Sequence, residues 1–281
     1  MKVVTFFSEK GGVGKTVLTY LFANYLAYER GENVKVMDLD HPMFQLAGIR
    51  SDERAILARE SDKLGAGDTL PYNCLTNLVK DIEPYEVIRG PEGSRLTDEQ
   101  YLAIRKKIEH YRQAVYPGYL FLDFSGNLLA DEPANRTITD GLVDAVILPV
   151  EQDSFALASA LYVHKFLTSD ELLKKAHKSN IPHWFLWNKD SAYLRAAEKK
   201  TSYYQKVETS LKMLGVQFVS KKVKEIRSFG RDAESTLFMR TTMCWPKTTI
   251  RMRCPDITDV FSELKDRIDG KWKEPIESNT K

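Results

Sequence analysis

Cysteine is scarce in this sequence. Among 281 residues only three are cysteines, Cys74, Cys244 and Cys254, and they lie far apart without any CxxC spacing. Structural zinc sites and disulfide frameworks need cysteines in closely spaced or paired patterns, so the spacing argues against both. The composition fits a reducing compartment, and we expect a cytoplasmic protein.

Long hydrophobic runs are also missing. No apolar stretch approaches the roughly 20 residues that a helix needs to span a bilayer, and no basic segment followed by an apolar stretch marks a signal peptide. The 41 lysines and arginines nearly balance the 39 aspartates and glutamates, so no global field points to nucleic acid or membrane. We expect a soluble protein whose partners are recognised by local patches.

The first forty residues predict a βαβ unit. Val3–Phe7 is short, β-branched and aromatic, as in a buried strand, and it stops at a glycine-rich turn. Val17–Ala27 is apolar nearly all round, which predicts a buried helix that Gly31 ends. Val34–Met37 predicts the second strand, and Asp38-Leu39-Asp40 falls at its carboxyl end.

Three further short apolar runs are separated by stretches of helix length: Tyr119–Leu122, Ala145–Pro149 and Trp184–Trp187. This alternation predicts an α/β fold, a doubly wound and mostly parallel sheet with flanking helices. We expect one domain over residues 1–270 and a loose polar tail over residues 271–281.

Two other segments complete the predicted architecture. Residues 50–117 are more polar and predict surface helices and loops that decorate the sheet edge. Asp256–Asp269 predicts a packed helix, because five apolar residues fall on one face at helical spacing. They are Ile257, Val260, Phe261, Leu264 and Ile268.

The segment Glu9–Thr16, called the phosphate loop below, lies between the first strand and the first helix. Its glycines allow backbone N–H groups to approach a phosphate chain closely, and a helix N-terminus adds a favourable dipole. Lys15 would reach the β- and γ-phosphates, and the Thr16 hydroxyl would take one position on an octahedral Mg²⁺. The strict pattern G-x-x-x-x-G-K-[ST] is broken at its first position, where this chain has Glu9.

The run Lys10-Gly11-Gly12-Val13-Gly14-Lys15-Thr16 resembles the deviant phosphate loop, KGGxGK[ST], of the ParA/MinD family of ATPases. The resemblance extends to four further anchors at strand ends, and a loose likeness remains around Ile226–Ala233. The four anchors are Asp38-Leu39-Asp40, Asp123, Pro149 and Asn188. The resemblance implies a P-loop NTPase of the ParA/MinD type that binds ATP and Mg²⁺.

In that family two subunits enclose ATP in a sandwich dimer, which implies separate roles for two lysines here. Lys15 would bind phosphates in its own subunit, and Lys10 would reach into the partner's site, as an arginine finger does in other NTPases. The resemblance therefore implies a slow ATP hydrolase whose turnover depends on homodimerisation. The implied nucleotide contacts in and beside the loop are Lys10, Gly11, Gly12, Val13, Gly14, Lys15, Thr16 and Val17.

The same resemblance assigns two carboxylates. Asp40 corresponds to the residue that orients the attacking water, and Asp123 to the residue that holds Mg²⁺ together with Thr16, usually through water. Both lie at carboxyl ends of strands, where ligands collect in an open parallel sheet. Asp38 also matches a family position, and a site role and a buried hydrogen-bonding role both remain open for it. The family commonly has proline after the second aspartate, whereas His41 intervenes here, which leaves the path of this loop open.

Asn188 matches the asparagine that reads adenine in these ATPases, although an isolated asparagine after a strand is more often a cap or turn residue. The run Asn188-Lys189-Asp190-Ser191 also resembles the guanine-reading NKxD motif of GTPases. Its fourth position is Ser191, so the carboxylate that would pair with guanine is missing. ATP is therefore favoured over GTP.

Two branches of the family differ in what they bind. ParA-like members position DNA through non-specific binding and are stimulated by a partner protein, whereas MinD-like members sit on membranes through a basic amphipathic C-terminal helix. The C-terminal helix here has the wrong sign for anionic lipid, so no membrane association is expected. Its charged residues are Asp256, Asp259, Glu263, Asp266 and Asp269 against Lys265 and Arg267.

Residues 195–231, called the basic stretch below, favour the ParA-like branch. They could line up with DNA phosphates without reading bases, and a solvated charged face is the alternative that stays open. We expect non-specific DNA as a partner and association with the nucleoid. The basic residues are Arg195, Lys199, Lys200, Lys206, Lys212, Lys221, Lys222, Lys224, Arg227 and Arg231.

The resemblance implies a role in the partition, positioning or transfer of a plasmid, chromosome or conjugative element. The Asp-x-Asp-x-Pro variant followed by Arg50, Glu53 and Arg54 is similar to ParA-type proteins carried by conjugative elements of Bacteroidetes-like bacteria. One alternative is a MinD-like positioning ATPase. Another is a nucleotide-dependent assembly switch for a protein complex without direct DNA binding.

Overall fold

The structure, a computed structural model, describes residues 1–51, 85–92, 97–113, 117–125, 132–190, 199–225 and 256–273. All three cysteines lie outside these ranges. None of the described helices combines the length and the apolar character that crossing a bilayer demands.

Six strands in the described part of the chain form one sheet in which every neighbouring pair is parallel. In chain order they are β1 (Lys2–Phe6), β2 (Val34–Asp38), β3 (Glu86–Arg89), β4 (Tyr119–Asp123), β5 (Ala145–Val150) and β6 (His183–Trp187). Their order across the sheet is β3-β2-β4-β1-β5-β6. The predicted fold class, a doubly wound α/β sheet with flanking helices, is confirmed.

Helices in the described ranges surround the sheet. They are α1 (Lys15–Asn24), α2 (Asp98–Arg112), α3 (Glu132–Thr139), α4 (Ser154–Leu167), α5 (Asp170–Lys175), α6 (Lys199–Lys212) and α7 (Ile257–Ile268). A π-helical turn, Tyr25–Glu29, continues α1, and residues 45–51 are also helical.

The sheet is buried on both faces, which is why its strands are almost continuously apolar. α1 and α7 cover one face, where Phe22 stacks on Phe261 with ring centroids 5.1 Å apart. Residues of α2 to α6 pack on the other face. The five apolar residues predicted for one face of the C-terminal helix are all buried in the first of these cores.

β3 is an edge strand that the sequence pattern does not reveal. It consists of four residues, is charged at both ends, and lies within the polar segment for which only helices and loops are predicted. An edge strand has one partner and buries few side chains, so it needs little hydrophobic pattern; Ile88 is its one buried residue. The strand is held in place by pairing with β2, which puts Glu86 beside Lys35 in an ion pair.

Candidate functional site

The predicted site residues converge at the carboxyl edge of the sheet. β1 lies between β4 and β5, so the phosphate loop emerges at the centre of this edge. β2 and β4 end to one side of the loop, with Asp38 beside Asp123 in the strand register. β5 and β6 end on the other side. Ligands of open parallel sheets bind at such a position, outside the carboxyl ends of the strands.

The phosphate loop requires glycine at two positions. Gly12 has a φ of 77° and Gly14 a φ of 89°, in the left-handed region where a side chain is strained. Gly14 is also the N-cap of α1, and its carbonyl oxygen accepts a hydrogen bond from Leu18 N–H at 2.9 Å. Because a glycine cap has no side-chain acceptor, the first N–H groups of α1 are placed to receive an anion, with Lys15 in the same turn.

Asp38 ends β2 and is fully buried. Its carboxylate accepts hydrogen bonds from Asp40 N–H at 3.2 Å and from Ala47 N–H at 2.9 Å. Burial raises the pKa of Asp38, and these two hydrogen bonds oppose that rise. Asp38 therefore makes buried hydrogen bonds, one of the two possibilities left open for it. These bonds connect the turn after β2 to the helical residues 45–51.

Asp123 ends β4 and is also fully buried, yet neither of its carboxylate oxygens accepts a hydrogen bond of normal geometry within the described residues, although the Thr16 hydroxyl is near enough to favour the ionised carboxylate. Burial, assisted by the charges of Asp38 and Asp40, raises the pKa of Asp123 to about 8. The nearby Thr16 hydroxyl and Lys15 ammonium oppose this rise, because they favour the ionised carboxylate. Buried carboxylates without partners are costly, and they concentrate at functional sites.

Asp40 begins the turn that follows β2. Its carbonyl oxygen accepts a hydrogen bond from Phe44 N–H at 2.8 Å, and the His41–Pro42 peptide bond within this turn is cis. The half-buried Asp40 raises the pKa values of Asp38 and Asp123 by its charge, so it belongs to the same acidic cluster. Its role in orienting water stays a prediction.

Lys10 makes ion pairs with acidic residues of the same chain. Its Nζ donates a hydrogen bond to the carboxylate of Asp153 and lies 3.9 Å from Oε2 of Glu151. The hydrogen bond raises the pKa of Lys10 and lowers that of Asp153. Asp153 is also the N-cap of α4, where its Oδ1 accepts hydrogen bonds from the N–H groups of Phe155 and Ala156 at 2.7 and 3.2 Å. One acidic residue thus both caps a helix and holds Lys10.

Two side chains that follow β6 contact the back of the phosphate loop. Asn188 Nδ2 donates to the carbonyl oxygen of Val13 at 2.7 Å. Lys189 Nζ donates to the carbonyl oxygen of Gly12 and pairs with Oε1 of Glu151 at 2.7 Å. Since Asn188 uses one N–H for this contact, its amide oxygen and its other N–H can serve a base.

Asp190, the third residue of the NKxD-like run, is buried and faces α6. Its Oδ1 accepts hydrogen bonds from the Tyr204 hydroxyl at 2.6 Å and from Gln152 Nε2 at 3.3 Å. A carboxylate occupied in this way ties α6 to the end of β5. Ser191, the fourth residue of the run, lies outside the described residues.

The donor set suits a magnesium ion that is shared with phosphates. Among the described residues, no group of three or more His, Cys, Asp or Glu side chains converges to hold a metal without help. Mg²⁺ prefers six oxygen ligands and usually takes only one or two of them from protein, the others being phosphates and waters. The Thr16 hydroxyl and the Asp123 carboxylate supply such a partial shell, so the residues present fit both Mg²⁺ and a nucleotide.

The basic stretch is partly neutralised by α7. Lys221 pairs with Asp259, and Lys224 Nζ lies 3.4 Å from Oδ2 of Asp256. Lys222 lies over an aromatic ring of α6, with Nζ 3.1 Å from the ring centroid. Two acids, Asp259 and the N-cap residue Asp256, therefore pair with lysines of the basic stretch. The described residues or side chains do not include Arg195, Lys199, Lys200, Arg227, Arg231 and the segment Ile226–Ala233.

Three charged residues of the site were not predicted from sequence: Glu151, Asp153 and Lys189. Each follows the end of β5 or β6 by one to three residues. The rule that ligands collect at carboxyl ends of parallel strands marks these positions. What that rule does not reveal is that Lys10 finds its partner here, after β5.

Comparison with known proteins places the chain in a family. A family model described as "CobQ/CobB/MinD/ParA nucleotide binding domain" matches residues 4–239. Among curated proteins the sequence has no match.

Solved structures share the fold along nearly the whole chain. A candidate plasmid partition protein from Borrelia burgdorferi B31, bound to AMPPNP, is 16% identical with a TM-score of 0.53 and covers 94% of this chain and 99% of its own. The MinC:MinD cell division protein complex of Aquifex aeolicus is 17% identical, with a TM-score of 0.58 and coverage of 99% and 98%. A ParA family ATPase from Chlorobium tepidum TLS is 20% identical, with a TM-score of 0.54 and coverage of 94% and 98%.

At these identities the structures speak for the fold alone, and the family match carries the assignment. The matched domain covers most of the chain and contains the phosphate loop, the acidic cluster and Asn188. The chain therefore belongs to the CobQ/CobB/MinD/ParA family of nucleotide-binding domains.

Proposed function

We propose that this protein is a Mg²⁺-dependent ATPase that works as an ATP sandwich dimer. The observation that carries the proposal is the buried Asp123 carboxylate, which accepts no hydrogen bond of normal geometry among the described residues and lies near Thr16 and Lys15 at the end of a glycine-rich loop. A bound Mg²⁺ would neutralise this carboxylate, and the loop N–H groups would bind the phosphates.

In this proposal the described residues divide the work of hydrolysis. Lys15 holds the phosphates from the first turn of α1, and Thr16 and Asp123 orient the metal. Asp40, at the mouth of the acidic cluster, orients the attacking water. Asn188 reads adenine with its amide oxygen and free N–H, a pairing that suits adenine because its edge offers one donor beside one acceptor. The fourth position of the NKxD-like run is Ser191, so the carboxylate that would pair with guanine is missing, which supports ATP over GTP.

Lys10 acts in trans in the proposed dimer. In the single subunit it is paired with Asp153 and lies close to Glu151, and its side chain is one third exposed. An exposed ion pair contributes little to stability because water screens it. Lys10 can therefore leave these acids for the denser negative charge of a partner's phosphates at small cost.

The test of this mechanism is complementation between two inactive variants. Lys10→Ala should bind ATP but lose turnover by roughly 10³- to 10⁵-fold, by analogy with a trans-acting arginine, and Asp40→Ala should bind ATP and accumulate as a dimer. In a mixed dimer, the site on the Lys10→Ala subunit keeps Asp40 and receives an intact Lys10, so ATPase activity should return. If sedimentation shows mixed dimers that stay inactive, the trans mechanism is wrong.

We further propose that the ATP-bound dimer binds DNA without sequence preference and acts in the partition, positioning or transfer of DNA, stimulated by a partner protein. The basic stretch supports this role, and one of the structures with the same fold is described as a candidate plasmid partition protein. The test measures ATPase rate and retention on plasmid-length DNA with ATP, with ADP and without nucleotide. ATP-dependent retention supports the proposal.

A second candidate function is a nucleotide-dependent assembly switch that binds a protein complex and no DNA. The ion pairs between Lys221 and Asp259 and between Lys224 and Asp256 favour it, because they use charge that DNA would need. ATP-dependent dimerisation without any DNA retention at low salt would select this alternative. Hydrolysis would then serve to reset the switch.

A further inference from the structure

The two residues after β6 face the phosphate loop from the side of its carbonyl groups. Asn188 holds the carbonyl oxygen of Val13, and Lys189 holds that of Gly12. The contacts therefore fall on two consecutive peptide units of the loop. We propose that Asn188 and Lys189, called the loop clamp below, are positioning residues that orient these peptide units so that their N–H groups face the phosphates.

The geometry of the peptide bond gives the reason. A trans peptide unit is planar, and its N–H points opposite to its C=O. When Lys189 holds the Gly12 carbonyl, the N–H of Val13 points away from β6, and when Asn188 holds the Val13 carbonyl, the N–H of Gly14 does the same. Consecutive N–H groups that point to one side form the concave anion site known as a nest. The clamp would build this nest before any nucleotide arrives.

Backbone conformation indicates that Lys189 is held for a purpose. Its φ is 54°, in the left-handed region that a residue with a side chain enters at a cost of about 1 kcal/mol. Strained residues of this kind cluster at ligand sites. The neighbours fix the strained residue on both sides, since Asn188 N–H bonds the Val150 carbonyl at 2.8 Å and Asp190 N–H bonds the Val223 carbonyl at 2.9 Å.

The loop clamp packs tightly against Gly14. A Cβ atom built on Gly14 would lie 2.8 Å from Asn188 Nδ2, so a side chain there would displace the amide. Glu151 completes the arrangement by pairing with the Lys189 ammonium, which keeps that side chain directed at the loop. The positive charge of Lys189 also favours an anion in the loop on electrostatic grounds.

The inference rests on the proposed nucleotide binding. It is tested by substitutions that remove the ammonium group of Lys189. Lys189→Met keeps the apolar part of the side chain and removes the ammonium donor. Lys189→Gly also removes this donor, and in addition it relieves the backbone strain. Both variants should bind MgADP and MgATP roughly 10- to 100-fold more weakly, the range for one hydrogen bond to a charged group. Lys189→Arg should stay within about threefold of wild type, and Lys175→Met, which removes an exposed lysine of α5, should change nothing.

A second measurement separates positioning from a general loss of stability. Hydrogen exchange of the nucleotide-free protein should quicken in residues 10–16 of Lys189→Met and stay unchanged in α7. Affinity for MgADP within twofold of wild type in Lys189→Met, or unaltered exchange in the loop, would overturn the clamp while leaving the proposed function standing. Failure of the wild-type protein to bind MgADP would overturn the proposed function as well.

Discussion

The two sides of the carboxyl edge use charge in opposite ways. Beside the ends of β2 and β4, Asp38 and Asp123 are fully buried, and the pKa of each is raised. Beside the ends of β5 and β6, Glu151 and Asp153 meet two lysines, and the side chains of these ion pairs are 23% to 42% exposed. Like charges gather where water is excluded, and opposite charges pair where water is present.

This difference in burial indicates which side binds phosphates and metal and which side makes a reversible contact. A buried acidic cluster stores unfavourable free energy that a cation relieves, so it gives a strong and specific response to Mg²⁺. Exposed ion pairs are screened by water and contribute little free energy, so one partner can leave at little cost. The buried side therefore fits the phosphates and metal, and the Lys10–Asp153 pair on the exposed side fits a contact that is made and broken.

The largest effect should follow from removing the cation of the buried side. Lys15→Ala should weaken ATP binding by roughly 10²- to 10⁴-fold, because it deletes about two charge-assisted hydrogen bonds to phosphate. Calorimetric titration with MgATP measures the loss. Lys175→Ala, on the exposed face of α5, is the matched control, and circular dichroism of both variants checks the fold. Undiminished affinity in Lys15→Ala would remove the basis for the phosphate-loop assignment.

The second prediction concerns the stability of the metal-free protein as a function of pH. The folded protein keeps a proton on Asp123 up to about pH 8, whereas an unfolded aspartate loses it near pH 4. The folded state thus binds the extra proton between these values, and the free energy of unfolding must fall as pH rises from 4 to 8. For a shift of this size the loss is up to about 5 kcal/mol.

Urea unfolding in EDTA at pH 5, 6, 7 and 8 measures this fall. Asp123→Asn cannot ionise, so its stability should decline less across the same range. Glu171→Gln, which removes an exposed carboxylate of α5, should behave as wild type. Parallel slopes for wild type and Asp123→Asn would show that Asp123 is already ionised without metal, and the contrast between the two sides would fail.

Much of the buried side could be predicted from sequence, because strand ends and glycine spacing are local signals. The phosphate loop, Asp38, Asp40 and Asp123 all lie at the edge where the βαβ pattern places them. The exposed side could not, because its partners come from distant parts of the chain. Lys10 and Asp153 are 143 residues apart, and only the sheet order, with β5 next to β1, brings them together.

A smaller effect is expected from loosening the exposed side. Asp153→Asn removes the charge that holds Lys10 and keeps an N-cap for α4, because asparagine caps helices as well as aspartate does. Lys10 should then reach a partner more readily, so the dimer should form at AMPPNP concentrations lower by no more than about fivefold. Analytical ultracentrifugation measures the midpoint, with Glu171→Gln as the control. An unchanged or higher midpoint would show that Asp153 does not compete for Lys10.

The last prediction compares exposed lysines with paired lysines within the basic stretch. Lys206 and Lys212 lie on the exposed face of α6, whereas Lys221 pairs with Asp259 of α7 and Lys224 with Asp256, the N-cap of α7. If DNA lies along this surface, each phosphate contact contributes about −0.9 to the slope of log affinity against log salt.

Reversing Lys206 and Lys212 to glutamate should flatten that slope by up to about two units and weaken binding to all sequences alike. Reversing Lys221 and Lys224 should flatten it by less, because their charge is partly neutralised within the subunit. Fluorescence anisotropy with two unrelated duplexes over a salt series gives both slopes. Equal changes for the two pairs would mean that DNA displaces Asp256 and Asp259, and no change for either would place the DNA surface elsewhere.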